Sequence, residues 1–191
     1  MVAASLQQGR RAARGAPARP VTTVKCASEV GQGVTTTRLF CDVIISDKAA
    51  DSVLVTLPPH RGTARLMFDL HNRLAVPPES GLPAPTYSRN TSIVSVIGPK
   101  GEIGRAAAVS EFRTAADLYD RVAGTAPNSV KAVAPGPATA VEITIPAGVT
   151  STGIVGARLD VLTRLGKQSY ETPGRPIAIV SNVRVEYTPP R

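Results

Sequence analysis

Apolar and polar residues alternate along most of this chain, and Gly and Pro interrupt the alternation at short intervals. A period of two sends successive side chains to opposite faces, so each run reads as a strand half-buried in a sheet. The cleanest run covers residues 63–72. Ala64, Leu66, Phe68 and Leu70 take one face, while Thr63, Arg65, Asp69 and His71 take the other with Met67 among them.

Similar runs cover 21–30, 35–46, 52–57, 92–97, 102–112, 129–134, 140–145, 153–165 and 175–187. In the second, Leu39, Cys41, Val43 and Ile45 share a face. In the last, Ile177, Ile179, Val183, Val185 and Tyr187 do so. The turn residues Gly98-Pro99-Lys100-Gly101 join 92–97 to 102–112 as a hairpin. Between 73 and 89 lies a loop with Pro77, Pro78, Gly81, Pro83 and Pro85. A connection of that length is either functional or disordered.

One short helix is expected over 114–123, covering an open end of the fold. Thr114 can cap it, Asp117 follows three residues later, Leu118 and Val122 share a helical face, and Gly124 ends it. About nine or ten short strands with a single helix point to an all-β, antiparallel β-sandwich with a jelly-roll-like layout. A parallel α/β fold would need a helix between most of its strands.

The composition agrees. Of 191 residues, 42% are hydrophobic but only 4% aromatic, with no Trp, so the core must be aliphatic. Val and Ile fit the pleated surface of a sheet. The length suits one domain. The expected division is a disordered basic tail over 1–20 and a β-sandwich domain over 21–191.

The formal net charge is +8. The tail holds Arg10, Arg11, Arg14 and Arg19 and no acid, so removing those four charges leaves +8 − 4 = +4 for the body. Basic residues are mostly Arg, and Ala and Pro are plentiful, the bias that GC-rich coding produces. The charge alone is therefore no argument for nucleic acid. No stretch approaches the ~18 apolar residues of a membrane span. Met1 to Leu6 is too short for a signal-peptide core. A plain arm, a transit-like segment and a true start lying upstream, with its own signal peptide, all stay open.

Cys26 and Cys41 carry the most specific signal. If 21–30 and 35–46 pair as a hairpin turning at Gly33-Val34, the two cysteines face each other directly. Opposed Cβ atoms lie ~4.5–5.5 Å apart, within reach of a disulfide. The alternative is a pair of buried thiols acting as small apolar side chains. Zinc would have to recruit both His60 and His71 at a spacing that fits no finger, so no metal is expected. There is no Walker A loop, HExxH, GxSxG or CxxC, and no cofactor is expected. Asn90-Thr91-Ser92 matches the glycosylation sequon.

The candidate ligand site is the cluster at the ends of the long loop. Asp69 and His71 share a strand face, Arg73 follows, and Tyr87 and Arg89 close the loop. Such a group could bind an anionic or sugar-like ligand, although strand alternation by itself also places polar residues on a solvent face. His60, in Pro-Pro-His-Arg-Gly, reads as a solvated turn residue.

Three functions follow in order. The first is a non-catalytic, extracytoplasmic bacterial module that binds a ligand, such as a carbohydrate, or a partner protein. The final segment, 175–187, is similar to the closing strand of carbohydrate-binding jelly rolls, a likeness of about a dozen residues generic to β-strands. The second rests on layout. An Arg-rich arm ahead of a β-domain resembles the plan of small RNA-virus capsid proteins, which implies an assembly subunit whose Arg10, Arg11, Arg14 and Arg19 neutralise nucleic acid. The third is a hydrolase whose carboxylates, scattered in sequence, are brought together by the fold.

Overall fold

The computed structural model of the chain describes residues 19–20, 23–73, 88–112, 118–123, 130–135 and 138–190. In chain order the strands are β1 (Arg19–Pro20), β2 (Val24–Lys25), β3 (Ser28–Gln32), β4 (Leu39–Ile44), β5 (Val53–Thr56), β6 (Arg61–Asn72) and β7 (Ser88–Gly98). Then come β8 (Gly101–Phe112), β9 (Leu118–Ala123), β10 (Val130–Pro135), β11 (Thr139–Ile145), β12 (Ser151–Thr163), β13 (Gly166–Tyr170) and β14 (Pro176–Thr188). A 3-10 turn, Ala49–Asp51, precedes β5.

Two six-stranded sheets face each other. Sheet A runs β11-β6-β14-β4-β3, with β1 also on β14; sheet B runs β2-β5-β12-β7-β8, with β13 also on β12. Every strand pair is antiparallel. The fold is thus the all-β sandwich that the alternation implied. The chain keeps changing sheet: β4 to β5, β5 to β6, β6 to β7, β11 to β12 and β13 to β14. Each layer is therefore stitched to the other by the chain itself.

The core between the sheets is aliphatic apart from Phe68. Val43, Val53, Val55, Leu66, Leu70, Val94, Val96, Ile145, Ile154, Ile177, Val180 and Val185 are all buried there. β6 behaves as its pattern implied, with Ala64, Leu66, Phe68 and Leu70 inward. One polar node sits among them. Asn72 donates from Nδ2 toward Asn90 O, Ala108 O and Ser110 Oγ, while the single hydroxyl proton of Ser92 lies between two acceptors, Asn72 Oδ1 and Ile177 O. This node ties sheet A to both strands of the β7–β8 hairpin. A buried amide satisfied this fully fixes one relative placement of the layers. Asn90 itself is buried on this inner side, so its sequon is not presented to solvent.

Three expectations need correction. Where the span expected to be helical, 114–123, is described, it is not a helix: 118–123 is strand β9, paired with β10 as a separate ribbon. Thr114 and Asp117 lie outside the described residues. Leu118 and Val122 fit a helical spacing, but Asp120 and Val122 fit a period of two equally well, and both are buried. A helix of that length has little stability of its own, so tertiary packing decides.

The first hairpin has a different register. Cys41 faces Glu29, not Cys26, and Gln32 faces Leu39. The turn is longer than the two-residue Gly33-Val34 turn, running from Gly33 to Arg38, with Gly33 N donating to Arg38 O and Thr37 N to Gly33 O. Cys26 nevertheless stands at disulfide distance from Cys41, Cα to Cα 5.4 Å. It lies where the chain leaves β2 of sheet B for β3 of sheet A, so the pair clips the crossover rather than a ladder rung.

In β14 the common face over 177–187 is broken. An irregularity between Ser181 and Arg184 places an extra residue against β6, with Asn182 at φ 52°. Side-chain parity flips there, as at any β-bulge. Val183, Val185 and Tyr187 meet the main core, while Ile179 lies on the outer face of sheet A. Arg19–Pro20 pairs with Val185 and Arg184 of β14. Arg10, Arg11 and Arg14 lie outside the described residues.

Candidate functional site

The outer face of sheet A gathers most of the chemistry-bearing side chains. β6 sends Met67, Asp69 and His71 to this face, opposite its core residues, and β4 sends Phe40 and Asp42. β14 adds Ile179, Ser181 and the bulged Asn182.

This face is not open to solvent at its centre. Val30, Phe40 and Ile179 form a second small core with Val122 of β9. The β9–β10 ribbon is fastened by Asp120, which is buried. Its carboxylate accepts from Thr35 N at 3.0 Å, from Thr36 N at 2.8 Å and from Thr36 Oγ1. Gly33 pairs with Val122 in an isolated bridge. The close approach explains two glycines: a Cβ on Gly33 would collide with Asp120, and one on Gly31 would lie 2.7 Å from Val122. Gly31 also has φ 129°, a conformation that side chains resist.

His71 lies under this cover, 1% exposed, with its ring edge-on to Phe40 at 5.9 Å between centroids. Its Nε2 is 3.3 Å from Ser181 Oγ. Burial pushes the imidazole pKa down to about 4, with Arg38 adding to the fall and Asp69 opposing it. Asp69 accepts from Arg38 Nη1 at 2.7 Å and from Asn182 Nδ2 at 3.1 Å. At the far end of the face, Arg73 pairs with Asp42 at 2.8 Å, and Ser28 Oγ donates to the same carboxylate at 3.3 Å.

The predicted cluster is therefore only partly assembled. Asp69, His71 and Arg73 do share the outer face of sheet A. Arg89 does not join them: it lies exposed on β7 of sheet B, across from Leu162 and Glu111. Tyr87 lies outside the described residues. Sequence reading missed Ser181, Asn182, Arg38 and Asp120. Their partners are 31 to 113 residues away along the chain, and no local spacing carries that information.

Ser181, His71 and Asp69 together invite comparison with a nucleophile triad. A working triad needs an accessible hydroxyl, a base with a pKa near the operating pH and a carboxylate that orients the base. Here Ser181 and His71 are each 1% exposed. The imidazole is a weak base, and one Asp69 oxygen is engaged by both Arg38 and Asn182. The arrangement holds the bulge in place, with Asn182 on the Asp69 carboxylate. Among the described residues no group of His, Cys, Asp and Glu side chains is placed to hold a metal ion. His60 Nδ1 lies 2.9 Å from Pro58 O in its turn.

No family model, curated protein or solved structure matches this chain. No helix among the described residues is long and apolar enough to cross a membrane.

Proposed function

We propose that this chain is a non-catalytic β-sandwich module of an oxidising, extracytoplasmic compartment, and that it recognises a partner protein. The observation that carries the reading is the internal use of the polar groups on sheet A. Asp69, His71, Asp120, Ser181 and Asn182 bond to one another, to Arg38 and to the β3–β4 turn. Groups engaged in this way hold structure and leave little for a substrate. The Cys26–Cys41 pair supports the compartment, since disulfides persist where the surroundings oxidise. A protein partner fits better than a glycan. Sugar platforms use open aromatic faces, whereas Tyr170 lies beneath the Arg175 guanidinium at 3.7 Å and Tyr187 packs on the core.

One labelling experiment tests both halves. The full chain is recovered folded from a bacterial periplasm, treated with a thiol alkylator and a fluorophosphonate, and mapped by mass spectrometry. Neither Cys26 nor Cys41 is expected to be alkylated before reduction, and Ser181 is expected to stay unlabelled. Free thiols would overturn the compartment, and a fluorophosphonate on Ser181 would overturn the non-catalytic role.

A further inference from the structure

The Cys26–Cys41 bond joins two very unequal places. Cys26 lies in the segment 23–27, which carries β2 along the edge of sheet B. No residue of that segment is buried: Thr23, Lys25 and Ala27 are exposed, and Val24 and Cys26 are half-buried. Its ladder is two residues long, with Val24 against Val55 and Lys25 against Leu54. Thr56 N adds a bond to Thr23 O at 3.3 Å. A pairing this short has little stability of its own.

Cys41 is the opposite case. It is 2% exposed and part of the main core. Its strand, β4, is flanked in sheet A by β14 on one side and β3 on the other. The disulfide therefore tethers a surface segment to the interior.

The two sulfurs differ in access for the same reason. A disulfide is opened when an outside thiolate strikes one of its sulfurs, and access selects which one. A thiol molecule cannot enter a close-packed core to strike Cys41. Cys26 stands in a segment with no buried residue.

We propose that Cys26 is a thiol-exchange site and that 23–27 is a latch under its control: a dithiol reductant strikes Cys26, and the segment then leaves the edge of β5. The exchange balances in two steps. The attacking thiolate forms a new S–S bond to Cys26, and Cys41 departs with the electron pair of the old bond and takes up a proton. The second thiolate of the reductant then displaces Cys26, which takes up a proton in turn. The reductant leaves as its own disulfide, and the protein keeps two thiols.

Opening is local on this account. Cys41 as a thiol still fills its place as a small apolar side chain, so the sandwich keeps its packing. The segment keeps only its two-residue ladder. Once β2 departs, β5 is the outer strand of sheet B on that side. A strand edge with unpaired main-chain groups is a template for pairing, and the latch covers or uncovers one. It needs the disulfide but neither the extracytoplasmic compartment nor the protein partner.

The test starts from the full chain oxidised in vitro, so a failure of the compartment reading leaves it intact. A dithiol is expected to reduce the bond in the folded chain. Iodoacetamide is then expected to label Cys26 at least tenfold faster than Cys41. A bond that resists the dithiol until the chain unfolds, or labelling that is equal or faster at Cys41, overturns the exchange site. Amide exchange reads the latch. The Thr56 amide, which donates to Thr23, is expected to exchange at least tenfold faster after reduction. The neighbouring Leu57 amide, which donates to Thr150, and those of Leu66 and Leu70 in β6 are expected to keep their rates. Cys26→Ser is expected to speed the Thr56 amide in the same way without reductant. Unchanged exchange at Thr56 after reduction overturns the latch. Acceleration at Leu57, Leu66 and Leu70 as well overturns it too, because the bond would then hold the whole sandwich.

Discussion

The two outer faces of the sandwich are treated in opposite ways. Sheet A covers its centre with the β9–β10 ribbon, builds a second core there from Val30, Phe40, Val122 and Ile179, and ties the ribbon down through Asp120. Sheet B leaves Arg105, Ala107, Val109 and Glu111 exposed along β8. The buried histidine and the buried carboxylates Asp42 and Asp120 thus lie on the covered face. The plainer strand, with its alanines, is the one left exposed. Side-chain chemistry alone is a poor guide to where such a fold makes contact, because burial decides which groups remain available.

The contrast can be broken most strongly at its apolar centre. Phe40→Ala empties the second core and is expected to cost about 3–5 kcal/mol in urea unfolding, as for other buried Phe truncations. The matching change on the open face, Val109→Ala, is expected to stay within about 0.5 kcal/mol. Comparable costs for the two would mean that the ribbon does not bury Phe40. Next in size is the ribbon's anchor. Asp120→Ala leaves the N–H groups of Thr35 and Thr36 without their acceptor and is expected to cost about 2–3 kcal/mol. Asp120→Asn should recover little of this, because it turns an N–H toward one of those donors. Exchange of the Thr35 and Thr36 amides, slow in the wild type, should become fast in both variants. Unchanged exchange would show that the ribbon is held by other means.

Much of this was legible in the sequence, and the limits are physical. The alternation in β6 was sufficient to place Ala64, Leu66, Phe68 and Leu70 inward, because a period of two leaves a strand few options. The cysteines were matched correctly but by the wrong geometry. A six-residue turn from Gly33 to Arg38 replaces the tight one, and that turn is shaped by Asp120, which lies 84 and 85 residues from the threonines it binds. Residues 118–123 fit a helix as well as a strand, because six residues satisfy both periods until the sheet beneath them is known, whereas the other half of the ribbon, 130–135, matches the strand expected over 129–134. His71 looked like a surface residue for the same reason. Its strand face is polar in sequence, and only the ribbon makes it interior. The parity change in β14 hangs on one inserted residue, Asn182, whose effect shows only when β6 is alongside.

The sealed face makes one sharp demand on His71. An imidazole held neutral by burial binds its proton later in the folded chain than in the unfolded one. Its pKa falls from 6.5 to about 4, so the unfolded state takes up the proton first as pH drops. The contribution to stability is present above about pH 6.5, declines as pH falls from there toward 4, and amounts to about 3 kcal/mol in full. The most direct measurement is the titration of the His71 ring by NMR in the intact chain. An inflection near pH 4, with a neutral ring at pH 6, is the expected result. An inflection near pH 6.5, the value of a solvated histidine, would show that the face beneath the ribbon is open and that its polar groups are free to act.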